Sequence, residues 1–169
     1  VSESVVRIPP FRMPHQTATI EGMCGGGVLC RPGEISLAHN GVLFADELPE
    51  FQRQALEVLR QPLEDRHITV SRIQGTVDYP CNFMFVASMN PCPCGYYNHP
   101  TKACVCTPGQ ISRYLNKISG PLLDRIDLHV ELKQLSQNEL IAAPNGESSA
   151  AIRERVIKAR KIQLQRLKP

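Results

Sequence analysis

Cys92-Pro-Cys94 and Cys104-Val-Cys106 sit in one short stretch, MNPCPCGYYNHPTKACVCTP, residues 89–108, with nine residues between the pairs. Two close thiol pairs joined by a loop can close a tetrahedral site, because each pair supplies two adjacent corners. Zinc suits four thiolates best, being tetrahedral and redox-inert, whereas an iron–sulfur cluster more often uses wider spacing within its pairs. Free thiols are the plain alternative, and His99, inside the loop, reads either as a reserve ligand or as an ordinary loop residue. The chain has seven cysteines, an odd number that disfavours a disulfide framework. Cys24, Cys30 and Cys81 fall outside the pattern and are expected to be small buried hydrophobes.

A second group of residues has chemistry of a different kind. Val42-Leu-Phe-Ala45 is an unbroken apolar run that stops at Asp46-Glu47. Such a run suits a central parallel strand, whose carboxyl end would present two acids to a crevice. There the first acid can hold Mg²⁺ and the second can position water for attack on a γ-phosphate, although solvated acids at a strand end have the same pattern. Another apolar run, Phe83 to Ala87, leads to Ser88-Met89-Asn90. The Asn90 amide can hydrogen-bond the attacking water or the γ-phosphate, or simply turn the chain before Pro91.

These residues need a scaffold, and 169 residues with 42% hydrophobic and 21% charged content suffice for one buried core with a small appendage. Val1 to Arg31, rich in Pro, Gly and Thr, shows no period and reads as mostly loop. After Pro49, the residues Phe51, Ala55, Val58 and Leu59 recur at helical spacing up to about Gln61. HITVSRIQGTVDY, residues 67–79, reads as a β-hairpin turning at Gln74-Gly75, with Arg66, His67 and Arg72 on it. GQISRYLNKI looks helical, and PLLDRIDLHVEL looks like a short helix or turn entering a third strand, Ile126 to Leu132. A loop at Pro144-Asn145-Gly146 precedes a last helix, capped near Ser148 or Ser149, with Ile152, Val156 and Ala159 on one face.

No segment approaches the roughly 20 apolar residues of a membrane span, and VSESVVRIPPFRMP lacks the order of a signal peptide, so a cytoplasmic protein is expected. A net charge of +3 permits a nucleic-acid partner without arguing strongly for one.

RIPPFRMPHQT, RPGEISLAHNGVLFADELPEF, SMNPCPCG and SGPLLDRIDLHVEL resemble successive motifs of the magnesium-chelatase-like AAA+ ATPases, specifically the bacterial ComM/YifB competence-protein family. The resemblance runs from about Arg7 to the last helix. It implies an α/β fold, a partial AAA+ P-loop NTPase sheet, with the hairpin as an insert, the cysteine-rich zinc loop after the sensor asparagine and a helical lid at the C-terminal end. The implied division is residues 1–135 for the AAA+ core and 136–169 for the start of the lid. By the same resemblance Asp46 is the Mg²⁺-associated acid, Glu47 the catalytic acid, Asn90 the γ-phosphate sensor and Arg125 an arginine finger. Arg125 also has a physical case, since a guanidinium offered in trans neutralises charge in phosphoryl transfer, though an ion pair with Asp124 or Asp127 is the ordinary reading. Arg153 is a candidate second nucleotide sensor beside Arg155 and Arg160, which suggest a solvated basic face.

The family's glycine-rich GxxxxGK[ST] does not occur in this chain, and GMCGGG lacks its lysine. The chain is therefore expected to be the C-terminal part of a longer ATPase, binding ATP feebly by itself and lacking a core strand. The implied activity is ATP-driven DNA remodelling by a ring, expected as a homohexamer, with branch migration in recombination and natural transformation. Arg66 and Arg72 are the candidate DNA contacts in the channel, and ATP, Mg²⁺ and Zn²⁺ the implied cofactors. A metal-insertion or protein-remodelling ATPase of the chelatase type and a non-catalytic zinc-binding docking module are the rivals.

Overall fold

Three short parallel strands place the acids: β1 (Phe11–Arg12), β4 (Val42–Ala45) and β7 (Met84–Ala87), in the order β1-β4-β7. The computed structural model describes residues 8–72, 75–132, 141 and 146–167. The chain divides into two compact units, residues 1–131 and 132–169.

In the first unit β4 is central, as its unbroken apolar run requires, with Leu43 and Ala45 buried and Val42 and Phe44 half-buried. Gly41 makes the pairing with β1 possible. A Cβ there would lie 1.9 Å from the Pro10 carbonyl oxygen, so only glycine lets the Val42 N–H reach that oxygen at 2.8 Å. On the other side Val42 to Ala45 pair in register with Met84 to Ala87. Met23, Ile35, Leu43, Leu56, Leu59 and Leu122 fill the core beneath the sheet.

The first 31 residues are more ordered than their composition suggests. Thr19 caps a short helix, α1 (Ile20–Cys24), its hydroxyl accepting from the Gly22 N–H at 3.1 Å. A small antiparallel hairpin follows, β2 (Gly25–Gly26) with β3 (Arg31–Pro32). Elements this short display no readable period. A further helix, α2 (Glu34–Leu37), then leads to β4.

The helix expected from Pro49 to Gln61 is broken into a 3₁₀ turn (Leu48–Glu50), α3 (Arg53–Glu57) and α4 (Arg60–Asp65). Pro62 explains the break: its ring collides with the carbonyl four residues earlier, at Val58, where the two helices part. Next, β5 (His67–Arg72) and β6 (Gly75–Pro80) pair antiparallel from His67↔Pro80 to Arg72↔Gly75. Residues 73 and 74, including half of the expected turn, lie outside the described residues. Tyr79 and Cys30 join the two hairpins, the phenol donating to the Cys30 carbonyl and the Cys30 thiol to the Gly75 carbonyl.

Beyond the cysteine segment, α5 (Pro108–Leu115) begins with a capping box in which Thr107 and Gln110 satisfy each other's backbone N–H. The short helix expected near PLLDRID is α6 (Gly120–Leu123). The strand expected over Ile126 to Leu132 is not formed, and Leu128 and Val130 are 83% and 78% exposed. An alternating segment becomes a strand only beside a free ladder, and none of the described strands lies alongside it. Among the described residues β7 bonds to β4 alone, with Met84 exposed on it.

In the second unit Ser148 caps the helix Ser149–Arg166, its hydroxyl accepting from the Ala151 N–H at 3.3 Å. The expected apolar face of that helix is exposed within the unit, Ile152 at 40% and Val156 at 58%. The expected loop at Pro144-Asn145 lies outside the described residues. No described helix is long and apolar enough to cross a membrane.

Leu43 is completely buried on the central strand, so Leu43→Ala is expected to cost about 2–5 kcal/mol of stability. Urea denaturation of the two forms measures it. A change under about 1 kcal/mol would mean that β4 does not carry the core.

Candidate functional site

Asp46 and Glu47 leave β4 at its carboxyl end, and Ser88 leaves β7 beside them. The ladder extends one step past the strands, with the Ser88 N–H donating to the Ala45 carbonyl at 3.0 Å and the Leu48 N–H to the Ser88 carbonyl at 2.9 Å. Ser88 Oγ donates to Asp46 Oδ1 and accepts the Glu47 N–H at 3.1 Å, so one hydroxyl binds both acidic residues. Glu47 stands in the left-handed region, φ 53° and ψ 54°. That conformation takes it out of the strand's face-to-face alternation, and Gln16, in the loop after β1, donates its side-chain amide to Glu47 Oε2. Two carboxylates at the carboxyl edge of a parallel sheet can hold a hard cation and accept a proton from water.

Asn90 is exposed two residues beyond Ser88. Its backbone lies against the hydroxyl of Tyr114, a buried residue of α5 whose phenol pKa is raised by burial and then by the charge of Glu50. Cys92, wholly buried, follows.

The sulfurs of Cys92, Cys94, Cys104 and Cys106 lie within 4.8 Å of one another. Three of their separations are 3.4, 3.7 and 3.6 Å. A tetrahedron with metal–sulfur bonds of about 2.3 Å has edges of about 3.8 Å, so the four thiols fit zinc closely in both geometry and donor type. His99 does not join them. Its Nδ1 accepts the N–H groups of Thr101 and Lys102, at 3.1 and 2.8 Å, which makes it a residue that shapes the loop. The Tyr96 N–H, with further hydrogen bonds, lowers the Cys94 pKa to about 6, while burial and then the neighbouring sulfurs leave Cys106 pushed up to about 12. One thiolate forms easily, and a bound cation is needed to displace the protons of the others. Of the other cysteines, Cys30 and Cys81 are buried as expected and Cys24 is half-buried.

The remaining candidates make other contacts. Arg125 pairs with neither Asp124 nor Asp127: its Nε and Nη2 donate to Glu64 on α4, and its Nη1 to the Pro121 carbonyl at 2.6 Å. Arg66, left-handed at the end of α4, donates to Asn82 Oδ1 and the Phe83 carbonyl. Arg72 donates to the Ser71 carbonyl and reaches Glu21 at 3.4 Å, leaving its side chain 40% exposed. Arg153 is exposed on the helix of the second unit. Ser88, Gln16 and Tyr114 carry contacts that no local pattern announces. The nearest sequence signal is that Ser88 ends an apolar run beside Asn90.

The family described as magnesium chelatase, subunit ChlI, matches residues 1–140. The competence protein ComM of Haemophilus influenzae is 50% identical over 158 residues, covering 93% of this chain and 31% of that protein. YifB of Escherichia coli K12, named as uncharacterized, is 50% identical over 160 residues with the same coverage. The chain thus spans about a third of the length of these relatives. A crystal structure of NtrX from Brucella abortus in complex with ATP aligns with a TM-score of 0.47 and 18% identity, over 70% of this chain and 25% of that one.

Zinc affinity is expected to fall as pH drops already above neutrality, because the raised Cys104 and Cys106 thiols must lose protons to bind, and to fall more steeply below about 6, where Cys94 is protonated as well. Cys104→Ser removes one corner and is expected to release the metal. Competition against a chromophoric chelator over a pH series measures both, and a pH-independent affinity would exclude a thiolate site.

Proposed function

Since the chain belongs to the magnesium chelatase ChlI-subunit family, we propose that it is part of a ring-forming AAA+ ATPase that remodels DNA, acting as a branch-migration helicase in recombination and natural transformation. The observation that carries this reading is the arrangement of Asp46 and Glu47 around the single hydroxyl of Ser88 at the carboxyl edge of the parallel sheet. Mg²⁺ held at Asp46 would supply charge neutralisation for the phosphates of ATP. Glu47 orients water and accepts its proton, and Gln16 holds that carboxylate in place. Asn90 donates to the water or the terminal phosphate from the neighbouring strand. Arg125 acts on the site of an adjacent subunit after leaving Glu64, in a ring we take to be a cytoplasmic homohexamer. Arg153, in the lid, is the candidate second sensor.

Cys92, Cys94, Cys104 and Cys106 hold zinc as a structural ion that fixes the segment next to Asn90. At the DNA channel Arg72, whose side chain is 40% exposed beside an exposed Glu21, suits contact with phosphates. Arg66, engaged with Asn82 and Phe83, contributes chiefly by shaping the hairpin's start. The name of the Haemophilus relative, a competence protein, supports a role in natural transformation. A zinc-binding docking module without catalysis leaves the Asp46–Ser88–Glu47–Gln16 arrangement without a purpose, and a chelatase-type metal-insertion ATPase leaves the four cysteines without one.

ATP hydrolysis by the full-length protein, with and without branched DNA, tests the reading. Glu47→Gln is expected to lower turnover about 100-fold or more, and branched DNA to raise turnover of the unaltered protein. Turnover that needs Glu47 but ignores every DNA would favour a metal-insertion or protein-remodelling ATPase instead.

A further inference from the structure

Arg53, Arg113 and Lys117 line a groove of about 460 Å³ with Ser112, Asn116 and Gly109. Arg53 begins α3. The others come from α5 and the turn that follows it, and Gly109, Ser112, Arg113 and Asn116 recur at three- and four-residue spacing along one wall. Tyr114 and Ile118, 4% and 5% exposed, anchor that wall, so Arg113 stands on a fixed support, and Lys117 Nζ lies over the Tyr114 ring, 5.9 Å from its centre.

The groove's three charged residues are donors only, since arginine and lysine donate and never accept, while the Ser112 hydroxyl and Asn116 Oδ1 can also accept. Among the described residues Arg53 and Arg113 form no ion pair, and the single carboxylate paired with the lining is Glu50, 3.7 Å from Lys117. Three like charges line one concavity, with Glu50 near Lys117 and Glu57 near Arg53 as counter-charges and, among the described residues, none paired with Arg113, an arrangement that an anion relieves. Neither an aromatic ring nor a carboxylate lines it. Phosphate oxygens accept only, and two guanidinium forks match them.

We propose that this groove binds the phosphates of a polyanion, supplied either by the backbone of a nucleic acid or by the phosphate chain of a nucleotide. The inference shares with the motor reading only the nature of the ligand. It requires neither Asp46 nor Glu47 nor hydrolysis.

The test uses the full-length protein, a fluorescent oligothymidylate and inorganic tripolyphosphate, with Arg53→Gln, Arg113→Gln and the double variant, over a salt series. The double variant is expected to bind at least one probe about tenfold more weakly and to flatten the salt dependence by about one to two phosphate contacts. Loss confined to the oligonucleotide assigns the groove to a nucleic-acid backbone, and loss confined to tripolyphosphate assigns it to a nucleotide. Unchanged affinity for both probes, with an unchanged circular dichroism spectrum, overturns the proposal. A shift in assembly state at unchanged affinity overturns it too, in favour of contact with an acidic face of a second copy. DNA-stimulated ATP turnover with unchanged phosphate affinity in the double variant rejects the groove and keeps the motor. Weakened phosphate binding without DNA-stimulated turnover does the reverse.

Discussion

The contact between Gly41 and Pro10 is where the geometry of the acidic edge begins. A carbonyl oxygen occupies the place of the missing Cβ, β1 lies down beside β4, and the register of both is fixed. Because side chains alternate along a strand, a slip of one residue would exchange the fully buried positions of β4 for half-buried ones. The burial of Leu43 and Ala45 therefore locks the same register that the glycine permits. From that register follow the positions of Asp46 at the end of β4, Ser88 at the end of β7 and Gln16 beyond β1. Chemistry at this edge is a by-product of sheet registration.

What could be read in the chain depended on whether a signal was local. The run Val42 to Ala45 announces a buried strand and the acids after it, and the paired cysteines announce a four-sulfur site, because both signals sit within a few residues. The family itself was legible from long motifs. The hold of Ser88 on Asp46 and of Gln16 on Glu47 spans 42 and 31 residues, and no spacing rule connects them. Residues 126 to 132 show the opposite failure: alternation reports what a segment would prefer beside a partner, and says nothing about whether the partner exists. Pro62 could have been weighed more heavily, since its cost to the preceding helix is a purely local effect. The hairpin at Gly25 to Pro32 rests on glycines and one hydrogen-bonded tyrosine, beneath the reach of any period.

The segment around Asn90 is restrained from both directions. Ser88 ties it to β4, and Cys92 is buried under a cluster that ends one residue before the Thr107 cap of α5. Tyr114 returns from that helix to touch the backbone of Asn90. Strand, sulfur cluster and helix thus enclose a three-residue stretch, so its exposed asparagine is displayed by a stiff frame although it lies in a loop. Stiff display of a polar group is what hydrogen-bond recognition of a small anion or water needs, since the ordering entropy has been met during folding.

Arg125 has a different character. Its partner Glu64 is 62% exposed, and exposed pairs are generally worth only about 0.2–1 kcal/mol. The guanidinium is therefore free of Glu64 for a sizeable fraction of the time, and the fraction grows as salt screens the pair. Its full release also breaks the hydrogen bond from Nη1 to the Pro121 carbonyl at 2.6 Å, and its own side chain is only 26% exposed. A partner that Arg125 serves outside its own chain therefore has to displace Glu64 and Pro121 together, and the timing of that encounter is set by the partner's arrival.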